Sequence, residues 1–213
     1  MGHIVLLGDS IFDNARYVPG GEPVIEQLRG RLPDGWKATL LARDGGIVED
    51  VAGQLPDLPE DATHLVVSAG GNNALERAHI LRGPVAPAAE VFHELAVIQH
   101  QFRTEFRAML RDVLALGRPT LICTVYDAVP GLEQEAVTAL SIFNDVIVHE
   151  AAGAGLPILD LRLVCNEPRD YSGVSPIEPS ERGGAKIVRG IVRTLQAHDF
   201  SRPDSVVYGR VID

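Results

Sequence analysis

His3-Ile4-Val5-Leu6-Leu7 runs into Gly8-Asp9-Ser10-Ile11-Phe12-Asp13-Asn14 and loses its apolar character at once. A short run rich in Ile, Val and Leu reads as a strand buried on both faces, and in open α/β sheets ligands bind outside the carboxyl ends of such strands. Ser10 therefore stands where a nucleophile would be placed, by position alone. A second reading is open at this point. Asp9 and Ser10 are short polar side chains of the kind that satisfy backbone donors at the start of a following helix.

Working outward, strand-like apolar runs recur at 38–42, 65–68, 120–124 and 157–161. Longer stretches with helical spacing lie between them. Pro23 suits a first helical turn before Val24, Ile25 and Leu28. The stretch 87–116 keeps Val91, Leu95, Ile98, Phe102, Phe106, Met109, Leu110 and Val113 at helical spacing until Gly117 and Pro119 stop it. Further helices are expected over 133–152 and over 184–198, the latter with Ile187, Ile191, Val192 and Leu195 inward. Strands alternating with helices imply βαβ units and a parallel sheet of five strands. The tail 199–213 carries no pattern.

The 213 residues suit one α/β domain, 1–213, with no linker or low-complexity run to divide them. Nineteen Lys and Arg stand against 29 Asp and Glu, a formal charge of -10, with no basic stripe to displace counterions from phosphates. No nucleic-acid partner is expected. No apolar run approaches the roughly 20 residues needed to span a bilayer. Met1-Gly2-His3 enters the first strand without a basic region or cleavage site, and Leu6 stands where a myristoylation pattern needs Ser or Thr. A cytoplasmic protein is expected, with Cys123 and Cys165 as reduced residues of the core or loops.

Two glycine loops follow the next two strands: Arg43-Asp44-Gly45-Gly46 and Gly70-Gly71-Asn72-Asn73. Glycine lets a backbone amide approach a ligand, and an Asn side chain adds a neutral donor. The Ser10 amide, the Gly45 amide and the Asn72 side chain would together make an oxyanion hole. Taken singly, each loop reads equally as plain turn chemistry. Three such loops at successive strand ends favour a site.

With those residues on the page, the chain resembles the SGNH (GDSL-type) hydrolases over essentially its whole length. Gly8-Asp9-Ser10, Gly45 and Gly70-Gly71-Asn72-Asn73 look like the first three blocks of that family. The resemblance implies a flavodoxin-like three-layer α/β/α sandwich, with Ser10 as nucleophile, Gly45 and Asn72 as oxyanion donors, and a small-molecule ester as substrate. It implies no cofactor. Asn73 stands where members often carry Asp.

The fourth block departs further. The family pattern is Asp-x-x-His before the last helix, whereas alignment on the flanking Pro176, Pro179 and Gly183-Gly184 puts Ser175 in the Asp position and Glu178 in the His position. A triad base takes the serine proton near neutral pH, a task suited to a pKa near 6.5, and an ordinary glutamate near 4.3 is a weak substitute. Burial, or a neighbouring carboxylate such as Asp170, would raise it. The competing reading makes Glu178 structural, paired with an arginine such as Arg182. His79 lies shortly after the third loop, His93 and His100 read as helix-face residues, and no histidine–carboxylate set has metal-ligand spacing, so no metal is expected. Two functions follow: a serine esterase or acylhydrolase with Ser10 and Glu178 as catalytic pair, or an impaired member of the fold that keeps the pocket to bind a ligand or partner.

Overall fold

Alternation along β1 (His3–Gly8) sends Val5 and Leu7 to one face and Ile4 and Leu6 to the other, and all four are buried, as a central strand requires. The computed structural model describes residues 1–83 and 86–209. β2 (Lys37–Leu40), β3 (His64–Ser68), β4 (Thr120–Cys123) and β5 (Ile158–Leu159) join β1 in a parallel sheet. The spatial order is β2-β1-β3-β4-β5-β6, with Val5 opposite Thr39 on one side and Leu65 on the other. The same alternation continues across the sheet. Val67, Ile122 and Ile158 share the face of Val5, while Val66, Leu121, Cys123 and Leu159 share that of Ile4.

Each face is covered by a pair of helices. α3 (Ala88–Leu114) and α4 (Gln134–Gly153) pack against each other over the Val5 face, burying Phe102, Phe106, Val113, Phe143 and Ile147. α1 (Val24–Arg31) and α6 (Glu181–Ala197) pack together over the Ile4 face, burying Leu28, Ile187, Val188 and Ile191. Burial of this kind contributes about 1.5–3 kcal/mol for each large aliphatic side chain. Short helices α2 (Gly71–Glu76) and α5 (Leu161–Val164) follow β3 and β5.

The sheet has six strands among the described residues, one more than the sequence pattern gives. β6 (Val207–Tyr208) comes from the tail and is held by backbone bonds, Ile158 N–H to the Val206 carbonyl at 2.9 Å and Asp160 N–H to the Tyr208 carbonyl at 2.7 Å. Two residues with Val207 exposed leave no apolar run to read. Residues 210–213 of that tail lie outside the described residues. Pro23 precedes α1 as its N-cap rather than entering its first turn. α6 begins three residues before the apolar pattern because the Ser180 hydroxyl accepts the Gly183 N–H at 3.1 Å and caps it. Val91 keeps helical spacing yet is exposed, lining an open groove between α3 and α4. Cys123 and Cys165 are free and buried.

Candidate functional site

β1 lies between β2 and β3, so the chain leaves it in opposite directions on its two sides, and the crevice at such a switch point is where open α/β sheets hold ligands. The segments leaving these three strands carry Ser10, Gly45 and Asn72.

The turn after β1 depends on Gly8. Its φ of +120° is one that side chains rarely adopt, and a Cβ there would stand 1.7 Å from the Ser68 carbonyl oxygen. This close approach lets Asp9 N–H donate to that carbonyl at 3.1 Å, locking the ends of β1 and β3 together. The Gln54 side chain accepts from Gly8 N–H and donates to the Gly8 carbonyl, both at 2.8 Å. The Asp9 carboxylate oxygen then accepts Ile11 N–H at 3.1 Å, which closes the turn with Ser10 at its apex.

Ser10 is buried, and its hydroxyl donates to Glu178 Oε1 at 3.1 Å, across 168 residues of sequence. The loop carrying Glu178 is pinned on both sides. Tyr126 donates its hydroxyl to the Ile177 carbonyl at 2.8 Å, and Asn14 donates its amide to the Pro179 carbonyl at 3.2 Å. The Glu178 backbone itself bonds both ways, its carbonyl accepting Ser172 N–H at 2.8 Å and its N–H donating to Ser175 at 3.1 Å. Ser175 thus meets Glu178 through the backbone. Glu178 Oε2 is buried and has no hydrogen-bond partner among the described residues.

Asn72 turns its side chain toward the loop after β2, donating to the Gly46 carbonyl at 2.8 Å, which leaves one of its two amide hydrogens uncommitted by that bond. Arg43 N–H donates to the Gly8 carbonyl at 3.0 Å and Asp44 N–H to an Asp13 carboxylate oxygen at 3.0 Å, so residues 43–46 are strapped to the segment around Ser10. Gly45 has φ +79° within that strap. Among the described residues neither the Ser10 nor the Gly45 amide donates to a protein acceptor. Asn73 plays another part, accepting Val48 N–H at 3.1 Å and donating to Glu49.

Ser10, Asn72 and Glu178 line one cavity with Asp9, and Gly45 lies outside its wall. Burial pushes the Glu178 carboxyl up to about 7, and the Asp44 charge adds to that, while the Ser10 hydroxyl bond and the Arg16 guanidinium pull the other way. Burial is also the main cause for Asp9, raised to about 8, with Ile11 N–H opposing and the Glu178 charge reinforcing. Asp44 is held by Arg16 at 2.6 Å and by the Tyr17 hydroxyl.

Two expectations from the sequence need correction. Arg182 pairs with Glu167 at 2.8 Å and Asp170 at 3.2 Å, and has no bond to Glu178. Asp170 is neutralised by Arg182 and by Lys186 at 2.6 Å, so the carboxylate that acts on Glu178 is Asp44. His79, His93 and His100 are exposed and none lines the cavity. Among the described residues no group of His, Cys, Asp and Glu is arranged to hold a metal, and no helix is long and apolar enough to cross a membrane. The sequence reading passed over Asp9 as an acid of the site and over the Arg16–Asp44 pair. The position of Asp9 beside Ser10 was the only available signal for the first, and nothing local marks the second.

The chain matches the model of the GDSL-like lipase/acylhydrolase family over residues 6–186, and it belongs to that family. Its members are hydrolases, esterases and lipases among them. No curated protein matches it in sequence. Among solved structures it is similar to a lipase from a goat rumen metagenome, with TM-score 0.71 and 16% identity over 96% of this chain and 100% of that one. It is also similar to an extracellular lipase from Streptomyces rimosus, with TM-score 0.65 and 17% identity over 93% and 100% of the two chains. An acetyl xylan esterase from Geobacillus stearothermophilus gives TM-score 0.65 and 17% identity over 90% and 93%. At such identities the likeness is one of fold, the parallel sheet flanked by helices expected from the sequence.

Proposed function

We propose that the protein is a serine hydrolase of carboxylic esters in which Ser10 is the nucleophile and Glu178 the general base. The observation that carries this reading is the 3.1 Å bond from the Ser10 hydroxyl to Glu178 Oε1, made out of water at one end of a cavity. Serine is a weak nucleophile until an adjacent base takes its proton, and a base works best with a pKa near the working pH. A carboxyl held near 7 meets that condition where an ordinary one does not.

In the acylation step Ser10 Oγ bonds to the ester carbon as its proton passes to Glu178. Negative charge gathers on the former carbonyl oxygen, facing the amides of Ser10 and Gly45 and the Asn72 side chain. Collapse breaks the bond to the alcohol oxygen, which departs with the proton from Glu178. A water molecule then gives a proton to Glu178 and attacks the acyl-serine; collapse breaks the bond to Ser10 Oγ, which takes the proton back from Glu178 as the acid leaves. No cofactor enters this scheme.

A second reading, an impaired hydrolase that binds a ligand or partner, is favoured by the unpartnered Glu178 Oε2. In a serine triad a third group orients the base, and among the described residues nothing bonds to that oxygen. A fluorophosphonate separates the two. It should label Ser10 covalently in the native protein and fail on Ser10→Ala, and an unlabelled Ser10 in folded protein refutes the hydrolase.

A further inference from the structure

The cavity that starts at Ser10 and Glu178 runs away from them between α2, the turn at Ala78–Arg82, α3 and α4, is partly open to solvent, and offers about 140 Å³. Its wall is almost wholly apolar, with Leu75, Leu95, Val129, Leu140 and Phe143 among the lining side chains. Among the described residues the charged ones in the wall are Asp9, Glu178 and Arg77. Burial keeps Asp9 protonated up to about 8 and Glu178 up to about 7. The Arg77 guanidinium is taken up by both oxygens of Glu105, at 2.8 and 3.0 Å. A ligand in this space therefore meets hydrocarbon and neutralised charge, with the reacting groups at one end only.

We propose that this cavity receives the unbranched acyl chain of the substrate, about six carbons long. The inference rests on the hydrolase reading above and adds the substrate class to it. An apolar cavity of about 150 Å³ stays dry and holds benzene, a molecule of six carbons, which sets the scale for the occupant here. An acetyl group would leave most of the wall without partner atoms, and such a void forfeits the contacts its lining could make. Beyond six carbons the space opens, because Ile80, Leu81, Leu95 and Ala139 also line a wider groove between α3 and α4 that carries Val91 and Phe92. Phe92 is 71% exposed there, so a longer chain would continue over a wetted surface and gain less per carbon.

The test is the chain-length profile of kcat/KM on p-nitrophenyl acetate, butyrate, hexanoate and octanoate. Burying one methylene supplies roughly a fourfold gain, so the step from acetate to hexanoate has a ceiling of about two hundredfold, and a rise of at least about tenfold is expected before the curve flattens. Ala136→Phe places a ring into the cavity from α4 and should collapse the hexanoate-to-acetate ratio toward one. Calorimetry with hexanamide and acetamide on the unaltered protein gives a measurement independent of turnover and of that variant's folding. Hexanamide should bind at least about tenfold more tightly. A flat or falling profile with measurable hydrolysis overturns the acyl-chain assignment and leaves the hydrolase reading standing. Tight hexanamide binding with no ester cleaved supports the cavity assignment and overturns the hydrolase. Equal binding of the two amides with no ester cleaved overturns both.

Discussion

Replacing Glu178 by Gln removes an ionisable group from a position only 4% exposed, and the structure sets both the sign and the size of the result. At pH 4 the carboxyl is neutral in the folded and unfolded chain alike, and the variant should be about as stable as the natural protein. Above 4.5 the unfolded chain releases its proton, whereas the folded protein holds it until about 7. Folded-state stability therefore declines across that window, and the decline is complete above it. The displacement from 4.5 to about 7 corresponds to about 3 kcal/mol. Glu178→Gln escapes this loss, so at pH 8 it should exceed the natural protein by about 3 kcal/mol. Gln also presents one atom where Oε2 now lies unpartnered, so that cost is similar in both proteins. Urea unfolding at pH 4, 6 and 8, followed by far-ultraviolet circular dichroism and Trp36 fluorescence, gives the difference directly. The same variant should lose roughly 100-fold or more in ester turnover, the scale of general-base catalysis. A stability difference that does not change with pH would refute the claim that burial holds this carboxyl protonated toward neutrality.

Three other outcomes follow from the geometry. In the natural protein kcat/KM should climb with pH as Glu178 ionises, with an apparent midpoint near 7, and a rate unchanged between pH 5 and 8 would remove Glu178 as base. Tyr126→Phe frees the Ile177 carbonyl and loosens the Glu178 loop; stability should fall by about 1–3 kcal/mol and kcat by about tenfold with the pH midpoint kept, and an unaltered kcat would show that the loop needs no such anchor. The pair Ser175→Asp with Glu178→His should raise cleavage of a short test ester in an impaired protein, and lower it in one adapted to Glu178, so an assay of the double variant beside Glu178→Ala distinguishes the two readings.

The sheet was legible because buried parallel strands leave continuous apolar runs, and 4–7, 65–68 and 120–124 each correspond to a strand within a residue or two. β6 was not, because its pairing uses backbone bonds that almost any side chain permits. Alignment on Pro176, Pro179 and Gly183-Gly184 brings Glu178 to the fourth-block position, and the structure sets its carboxylate against Ser10. Its surroundings were illegible. Asp44 acts on it from 134 positions away in the chain while Asp170, only eight away, is neutralised by Arg182 and Lys186. The cavity was hidden for a related reason. Ala136, Leu140 and Phe143 carry the spacing of a core-facing helix, and periodicity alone does not separate a wall from a packed interior.

β6 has a consequence for how copies of this protein meet one another. A strand at the margin of a sheet offers a row of open donors and acceptors that a second chain can extend. At the β5 margin those groups, the amides of Ile158 and Asp160, are occupied by the carbonyls of Val206 and Tyr208. The margin on that side is therefore β6 itself, and with two residues it offers a second chain few bonds. Cutting the chain after Asp204 removes both carbonyls and bares the β5 margin, and a fall in solubility with ester cleavage retained is the expected outcome.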